Sequence, residues 1–225
     1  MPEKNVAPTN NIQLKFGGVV LCGGRSARMG FDKATLPFGP ELMLQRVVRL
    51  LREIVTPVTV VAAKDQLLPT LPDDVLTVFD HCPDHGPLEG LYTGLTASQV
   101  HVDAVYVTSC DVPLLRPAFV RQMCSLVTDH EIVVPVDQDH IHPLAGVYRT
   151  HLTTRVRQLL DSQRFRPLFL IQASKSLQVP TKQLRDVDPD LSSLFNLNHP
   201  SDYLAAIQQA GFEIPASLRT RLEKS

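Results

Sequence analysis

Three cations crowd one glycine-bearing stretch of this 225-residue chain. Arg25, Arg28 and Lys33 lie within Gly23-Gly-Arg-Ser-Ala-Arg-Met-Gly-Phe-Asp-Lys33, directly after the apolar run Val19–Cys22. Fixed positive charge beside exposed backbone N–H groups is what binds phosphate. Three familiar glycine motifs do not fit. The glycine–lysine spacing is wrong for a Walker A loop, and Ala34 follows Lys33 where a Ser or Thr is needed. Gly-x-Gly-x-x-Gly is absent, and Gly24-Arg-Ser26-Ala-Arg28 fails the nucleophile-elbow pattern Gly-x-Ser-x-Gly. A longer phosphate cradle remains. It suits a triphosphate, whose charge calls for both fixed donors and a metal.

Two carboxylates close other apolar runs. Asp111 follows Ala104–Ser109 by two residues and precedes Val112-Pro113, and Asp80 ends Val75–Phe79. A carboxylate such as Asp111 can hold Mg²⁺, which takes one or two protein carboxylates and leaves its other positions to water and phosphate. It can equally cap a helix beginning near Pro117. Asp84 competes with Asp80, since both lie in one short loop.

The elements that must position these groups follow from periodicity. A strand is expected over about residues 15–22. A helix follows, burying Leu44, Val47, Val48, Leu51 and Val55 and ending before Pro57. Further strands are expected at 58–63, 75–79, 104–109 and 132–136, with helices over 86–95 and from Pro117 between them. After these come a sixth extended segment at 141–148, helices over 150–160 and 165–173, a short strand at 177–180 and a last helix over 201–210.

Strands alternating with helices imply an α/β fold, a three-layer, Rossmann-like, mostly parallel sheet covered on both faces. Ligands of such sheets sit outside the carboxyl ends of the strands, so the cationic loop, Asp80 and Asp111 should share one rim. Gly86, Gly90 and Gly94 form a stripe on the second helix. Each costs about 1 kcal/mol inside a helix, so close approach by a ligand or by tight helix–sheet packing must offset it. One domain is expected over 14–212, with a flexible tail at 1–13 and a peripheral one at 213–225.

Composition narrows the class. A net charge of −1 argues against a general nucleic-acid or membrane-surface binder. No apolar run approaches the ~20 residues that span a bilayer, and the N-terminus has no signal-peptide core. The four cysteines, Cys22, Cys82, Cys110 and Cys124, lack paired spacing, which points to a reducing cytoplasm. His81-Cys-Pro-Asp-His85 has metal-ligand residue types but no second ligand pair, and reads as a polar strand-end loop. His140 reads as part of a solvated turn, and Cys22 and Cys110 as small apolar residues.

Leu21-Cys-Gly-Gly-Arg-Ser-Ala-Arg-Met-Gly-Phe-Asp-Lys-Ala-Thr-Leu-Pro-Phe-Gly39 resembles the signature loop of the nucleotidyltransferases related to molybdenum cofactor guanylyltransferase. Gly86-Pro-Leu-Glu-Gly90, Ser109-Cys-Asp-Val-Pro113, His142-Pro-Leu-Ala-Gly-Val-Tyr148 and Asn196-Leu-Asn-His-Pro200 resemble further segments of that family in order. The resemblance covers about residues 16–210. Cys22 replaces a usual alanine, His199 a common threonine, and Ala62 an asparagine of some relatives. The glycine pair after Cys22 resembles the guanylyl branch, where the cytidylyl branch more often shows Ala-Ala-Gly.

The resemblance implies transfer of GMP from GTP to the terminal phosphate of molybdopterin, with Mg²⁺ and release of pyrophosphate. It implies nucleotide contacts from Leu21, Cys22, Gly23 and Gly24, catalytic charge from Arg28 and Lys33, guanine-site placement of Asp80, and Mg²⁺ on Asp111. Gly86 and His142 would face the acceptor, and Asn196 and Asn198 the acceptor or the metal shell. Cofactor-delivery proteins or molybdoenzymes would be partners. Two alternatives stay open: cytidylyl or other nucleotidyl transfer to molybdopterin or a sugar phosphate, and a nucleotide-binding regulatory module without catalysis.

Overall fold

A computed structural model describes residues 14–22, 32–80, 82, 85–138 and 140–214. Gly23, Gly24, Arg25, Arg28, His81 and Asp84 lie outside the described residues, as do both expected tails apart from residues 213 and 214.

The chain opens with β1 (Phe16–Leu21), then a short hairpin of β2 (Pro37–Phe38) and β3 (Glu41–Leu42), then α1 (Met43–Arg52). Next come β4 (Val58–Ala63), β5 (Val75–Asp80), α2 (Pro87–Ser98), β6 (Ala104–Ser109) and α3 (Pro117–Ser125). The remainder carries β7 (Ile132–Asp137), β8 (His140–Ile141), β9 (Gly146–Arg149), α4 (Thr153–Asp161), α5 (Pro167–Gln172), β10 (Ser176–Pro180) and α6 (Pro200–Gln209).

One sheet runs in the order β10-β7-β9-β6-β1-β4-β5, with β8 paired to the end of β7. β1 lies parallel to β4 and β6, and β5 lies parallel to β4. β10 lies parallel to β7. The fold is therefore the expected mostly parallel α/β sheet with helices on both faces. None of the described helices is long and apolar enough to cross a membrane.

The alternation along β1 shows why two helical layers are needed. Val20 faces one apolar cluster with Leu44, Val47 and Leu51 of α1 and Phe119, Val120 and Met123 of α3. Val19 and Leu21 face the other, with Leu88, Leu91 and Leu95 of α2, Val156 of α4 and Leu170 of α5. A strand apolar on both faces must be covered twice. A third cluster joins Leu36, Phe38 and Met43 to Leu197, Tyr203 and Ile207, with Phe212 and Ile214 packed against it. Part of the segment expected to be peripheral is thus docked.

The extended segment expected over 141–148 divides in two. β8 turns back on β7 through Gln138, at φ +50°, and β9 then runs antiparallel between β7 and β6. Pro143 is the reason. It has no N–H to give a ladder, and it opens the short 3₁₀ turn Pro143–Ala145 between the two strands. The helix expected at 150 begins instead with a 3₁₀ turn, in which the Thr150 hydroxyl donates to the Val102 carbonyl at 2.9 Å.

The glycine stripe on α2 resolves into helix–sheet packing at two of its three positions. A Cβ on Gly94 would stand 2.5 Å from Cγ1 of Val19, and one on Gly90 would touch Leu21 at 3.4 Å. Gly86 instead caps the helix at φ +67°, a conformation that disfavours a side chain. Val19 is fully buried and branched at Cβ, so its χ1 is restricted and it can give way only at a cost. Gly94→Ala should therefore destabilise the protein by about 1–2 kcal/mol net, overpacking outweighing the gain in helix propensity. A urea midpoint equal to or above that of the parent would contradict this packing.

Candidate functional site

The carboxyl ends of β1 and β6 lie side by side, with Leu21 opposite Ser109 in the register. The ladder continues one residue further, where the Cys110 N–H donates to the Leu21 carbonyl at 3.0 Å. Cys22 is fixed from the other flank, its N–H reaching the Val61 carbonyl of β4 at 2.7 Å. Cys22 and Cys110 are both buried. The Cys22 thiol is pushed well above its ordinary range, first by hydrogen bonding to Cys110 and then by burial. A thiol so held stays protonated, which matches the apolar reading of these residues.

Lys33 and Asp111 meet at this rim. The Lys33 ammonium lies 2.7 Å from Oδ2 of Asp111 and donates to Oδ1 of Asn198 at 3.2 Å. Oδ1 of Asp111 accepts from the Ser109 hydroxyl at 2.5 Å. Residues 33, 111 and 198, distant in sequence, are in direct contact. The alternative helix-capping role for Asp111 does not hold, because the N-cap of α3 is Arg116.

Each arm of this cluster is braced. Asp32 caps the 3₁₀ turn Lys33–Thr35 by accepting from the Ala34 N–H at 3.0 Å. Gln66 ties together the two described ends of the cationic loop, its amide donating to the Cys22 carbonyl and to Asp32 Oδ1, both at 3.1 Å. The Leu197 N–H donates to the Asp111 carbonyl at 3.0 Å. Asp202, in the first turn of α6, accepts from the Asn198 and His199 N–H groups at 2.9 and 2.8 Å.

Upstream, the fully buried Asp188 carboxylate accepts from the Ser192 and Ser193 N–H groups at 3.1 and 2.8 Å. It is also paired with Arg116 at 3.1 Å. Gln66, Ser109, Asp188 and Asp202 are supports that the sequence reading missed. Asp202 alone had a readable signal, three residues after His199 and within the first turn that Pro200 opens.

An open cleft of ≈ 350 Å³ adjoins the cluster, lined by His140, His142, Pro143, Leu144, Ala145, Leu194, Asn196 and Asn198. Three residues expected on the acceptor side, His142, Asn196 and Asn198, thus share one wall system. Gly86 does not line it and sits instead at the start of α2 near the Phe165 carbonyl. Asp80 is buried at the end of β5, where Oδ1 accepts from the Cys82 N–H at 2.9 Å. Three strand spacings separate β5 from β6, or about 14 Å across the sheet. Asp80 and Asp111 therefore mark two ends of the rim, not one contact.

The donor set around Lys33 fits a hard divalent cation. One carboxylate oxygen and one carboxamide oxygen converge on the point that the Lys33 ammonium takes, so a divalent cation held by them would require the ammonium to turn away toward the phosphates. Oxygen donors in this number leave room for the water and phosphate ligands that Mg²⁺ prefers.

A family model described as MobA-like NTP transferase domain matches residues 18–177. A Mycobacterium tuberculosis protein named "Probable molybdenum cofactor guanylyltransferase" is 37% identical over 198 residues, covering 86% of this chain and 94% of that protein. One of the same name from Carboxydothermus hydrogenoformans is 32% identical over 193 residues, covering 82% and 91%. Among solved structures, molybdopterin-guanine dinucleotide biosynthesis protein A from Archaeoglobus fulgidus superposes with a TM-score of 0.72 at 17% identity, covering 88% of this chain and 99% of that one.

His142 packs edge-on against His140, with ring centroids 4.7 Å apart. Burial and then the neighbouring His140 lower its pKa from the ordinary 6.5, against an opposing pull from Asp137. The folded protein therefore binds this proton less well than the unfolded chain. Stability from the neutral imidazole should be complete above pH about 6.5 and be lost as pH falls through the folded value. An NMR titration should place the His142 midpoint below 6.5, and a midpoint above it would contradict the assigned surroundings.

Proposed function

The chain belongs to the MobA-like NTP transferase family, and from that premise we propose that it transfers GMP from GTP to the terminal phosphate of molybdopterin. It is a nucleotidyltransferase of molybdenum cofactor biosynthesis, and the donor and acceptor are our reading. The observation that carries the reading is the Lys33–Asp111–Asn198 cluster at the carboxyl end of β6, beside an open cleft. The naming of its relatives as guanylyltransferases supports GTP over other nucleotides.

In this reaction an oxygen of the acceptor phosphate attacks the α-phosphorus of GTP. The bond from that phosphorus to the α–β bridging oxygen breaks, its electron pair leaving with pyrophosphate. No covalent intermediate on the protein is required. Catalysis is then positioning plus charge stabilisation, where each well-placed donor contributes roughly 10²–10³-fold.

Lys33 supplies a fixed cation for the triphosphate, and Arg28 of the same loop a second. Asp111, with Asn198 beside it, would hold Mg²⁺, whose chemistry when bound is to neutralise phosphate charge. Leu21, Cys22, Gly23 and Gly24 would contact the nucleotide in this reading, and Asp80 would lie in the guanine-nucleotide site. His142, kept neutral, offers the acceptor a hydrogen bond without adding charge, and Asn196 and Asn198 line the same cleft.

Asp111→Ala should abolish pyrophosphate release, by at least about 10²-fold, while leaving the circular dichroism spectrum unchanged. Near-parental turnover would remove Asp111 from the machinery. In the same assay with molybdopterin, GTP should support release and CTP and ATP should not. Preference for CTP would overturn the guanylyl assignment, and nucleotide binding without any release would overturn the catalytic one.

A further inference from the structure

At the opposite end of the rim from Lys33, three side chains of different chemistry converge on one point. Sγ of Cys82, a ring nitrogen of His85 and a carboxylate oxygen of Glu89 all lie within 4.8 Å of one another. Cys82 and His85 alone made an incomplete ligand set. Glu89 completes it, because α2 begins between them and carries residue 89 back over residue 85. The His85 N–H donates to the Cys82 carbonyl at 3.0 Å, closing the turn that sets the first two side chains together.

His85 and Glu89 already lie at ion-pair distance. Nδ1 of His85 stands 3.3 Å from Oε2 of Glu89, longer than the 2.7–2.9 Å of a charge-assisted hydrogen bond. Two ligands at about 2.0–2.1 Å from one tetrahedral ion are about 3.4 Å apart, which is the spacing found. The Glu89 carboxylate is buried, and among the described residues His85 is its one side-chain hydrogen-bond partner. An ionised carboxylate offers about four lone-pair sites, so oxygen lone pairs of Glu89 remain for a ligand. The imidazole plane is fixed from outside by Phe165, stacked at 4.3 Å and 15°.

We propose that Cys82, His85 and Glu89 form a binding site for a zinc-class divalent cation, separate from the oxygen-donor cluster at Asp111. One sulfur, one imidazole nitrogen and one carboxylate oxygen make a tetrahedral set with the fourth position open, and the thiolate selects against Mg²⁺. Ligand atoms on one tetrahedral ion lie about 3.4–3.6 Å apart, so closing separations of 4.8 Å or less asks for a movement of about 1 Å at most. An ion here fastens the segment leaving Asp80 to the first turn of α2.

Full-length, metal-stripped protein titrated with Co²⁺ tests the site without relying on transferase activity. One equivalent should raise a thiolate-to-cobalt charge-transfer band and the visible bands of a tetrahedral ion. Zn²⁺ should displace them, and excess Mg²⁺ should not. Cys82 is exposed, so Cys82→Ser should keep the parental melting temperature and lose the charge-transfer band. Glu89→Gln should keep that band and bind Co²⁺ about tenfold or more weakly. The proposal is overturned by absence of the band, by its survival in Cys82→Ser, or by unchanged affinity in Glu89→Gln.

Discussion

The contact on which the arrangement turns is the ion pair between Lys33 and Asp111. Both side chains are largely withdrawn from water, at 15% and 11% exposure, so their attraction is little screened and neither charge is easily left alone. The pair constrains the chain widely. Lys33 must return from the loop after β1, Asp111 must leave β6 in the same direction, and Asn198 must arrive from the far end of the sequence. Parallel pairing of β1 with β6 is what allows the first two, since antiparallel strands would send their loops to opposite edges.

Around that pair the structure spends much of its specific hydrogen bonding on loops, not on the core. Gln66 holds both described ends of the cationic loop, and Asp188 organises the turn that leads to Asn196 and Asn198. Buried polar groups of this kind must be satisfied, and here the satisfied bonds fix where the exposed groups stand. The apolar clusters hold the layers together, and the loop bonds aim the site.

What could be read from the sequence, and what could not, has a common cause. β1, β4 and β6 were legible because strands buried on both faces are continuous apolar runs bounded by breakers. The strand-end rule then placed Lys33, Asp80 and Asp111 on one rim without any knowledge of their contacts. Strand direction was not legible. β9 is as apolar as its neighbours, and only its position after Pro143 and a turn sends it the other way. Partners across long separations were hidden too: Gln66 looks like any surface glutamine, and Glu89 like an ordinary first-turn carboxylate, until the fold brings Cys22 to one and His85 to the other.

The third apolar cluster has a consequence for where this protein can be divided. The region matched by the family model stops at residue 177, yet Leu36, Phe38 and Met43 lie under Leu197, Tyr203 and Ile207 from beyond it. A chain cut at that boundary would keep every strand of the sheet except the rest of β10, and would leave those three large side chains facing water. The apolar cluster holding Leu36, Phe38 and Met43, which follow Lys33 closely in the chain, is therefore completed only by α6, which is made after every strand of the sheet. The unit that folds is longer than the unit that is recognised.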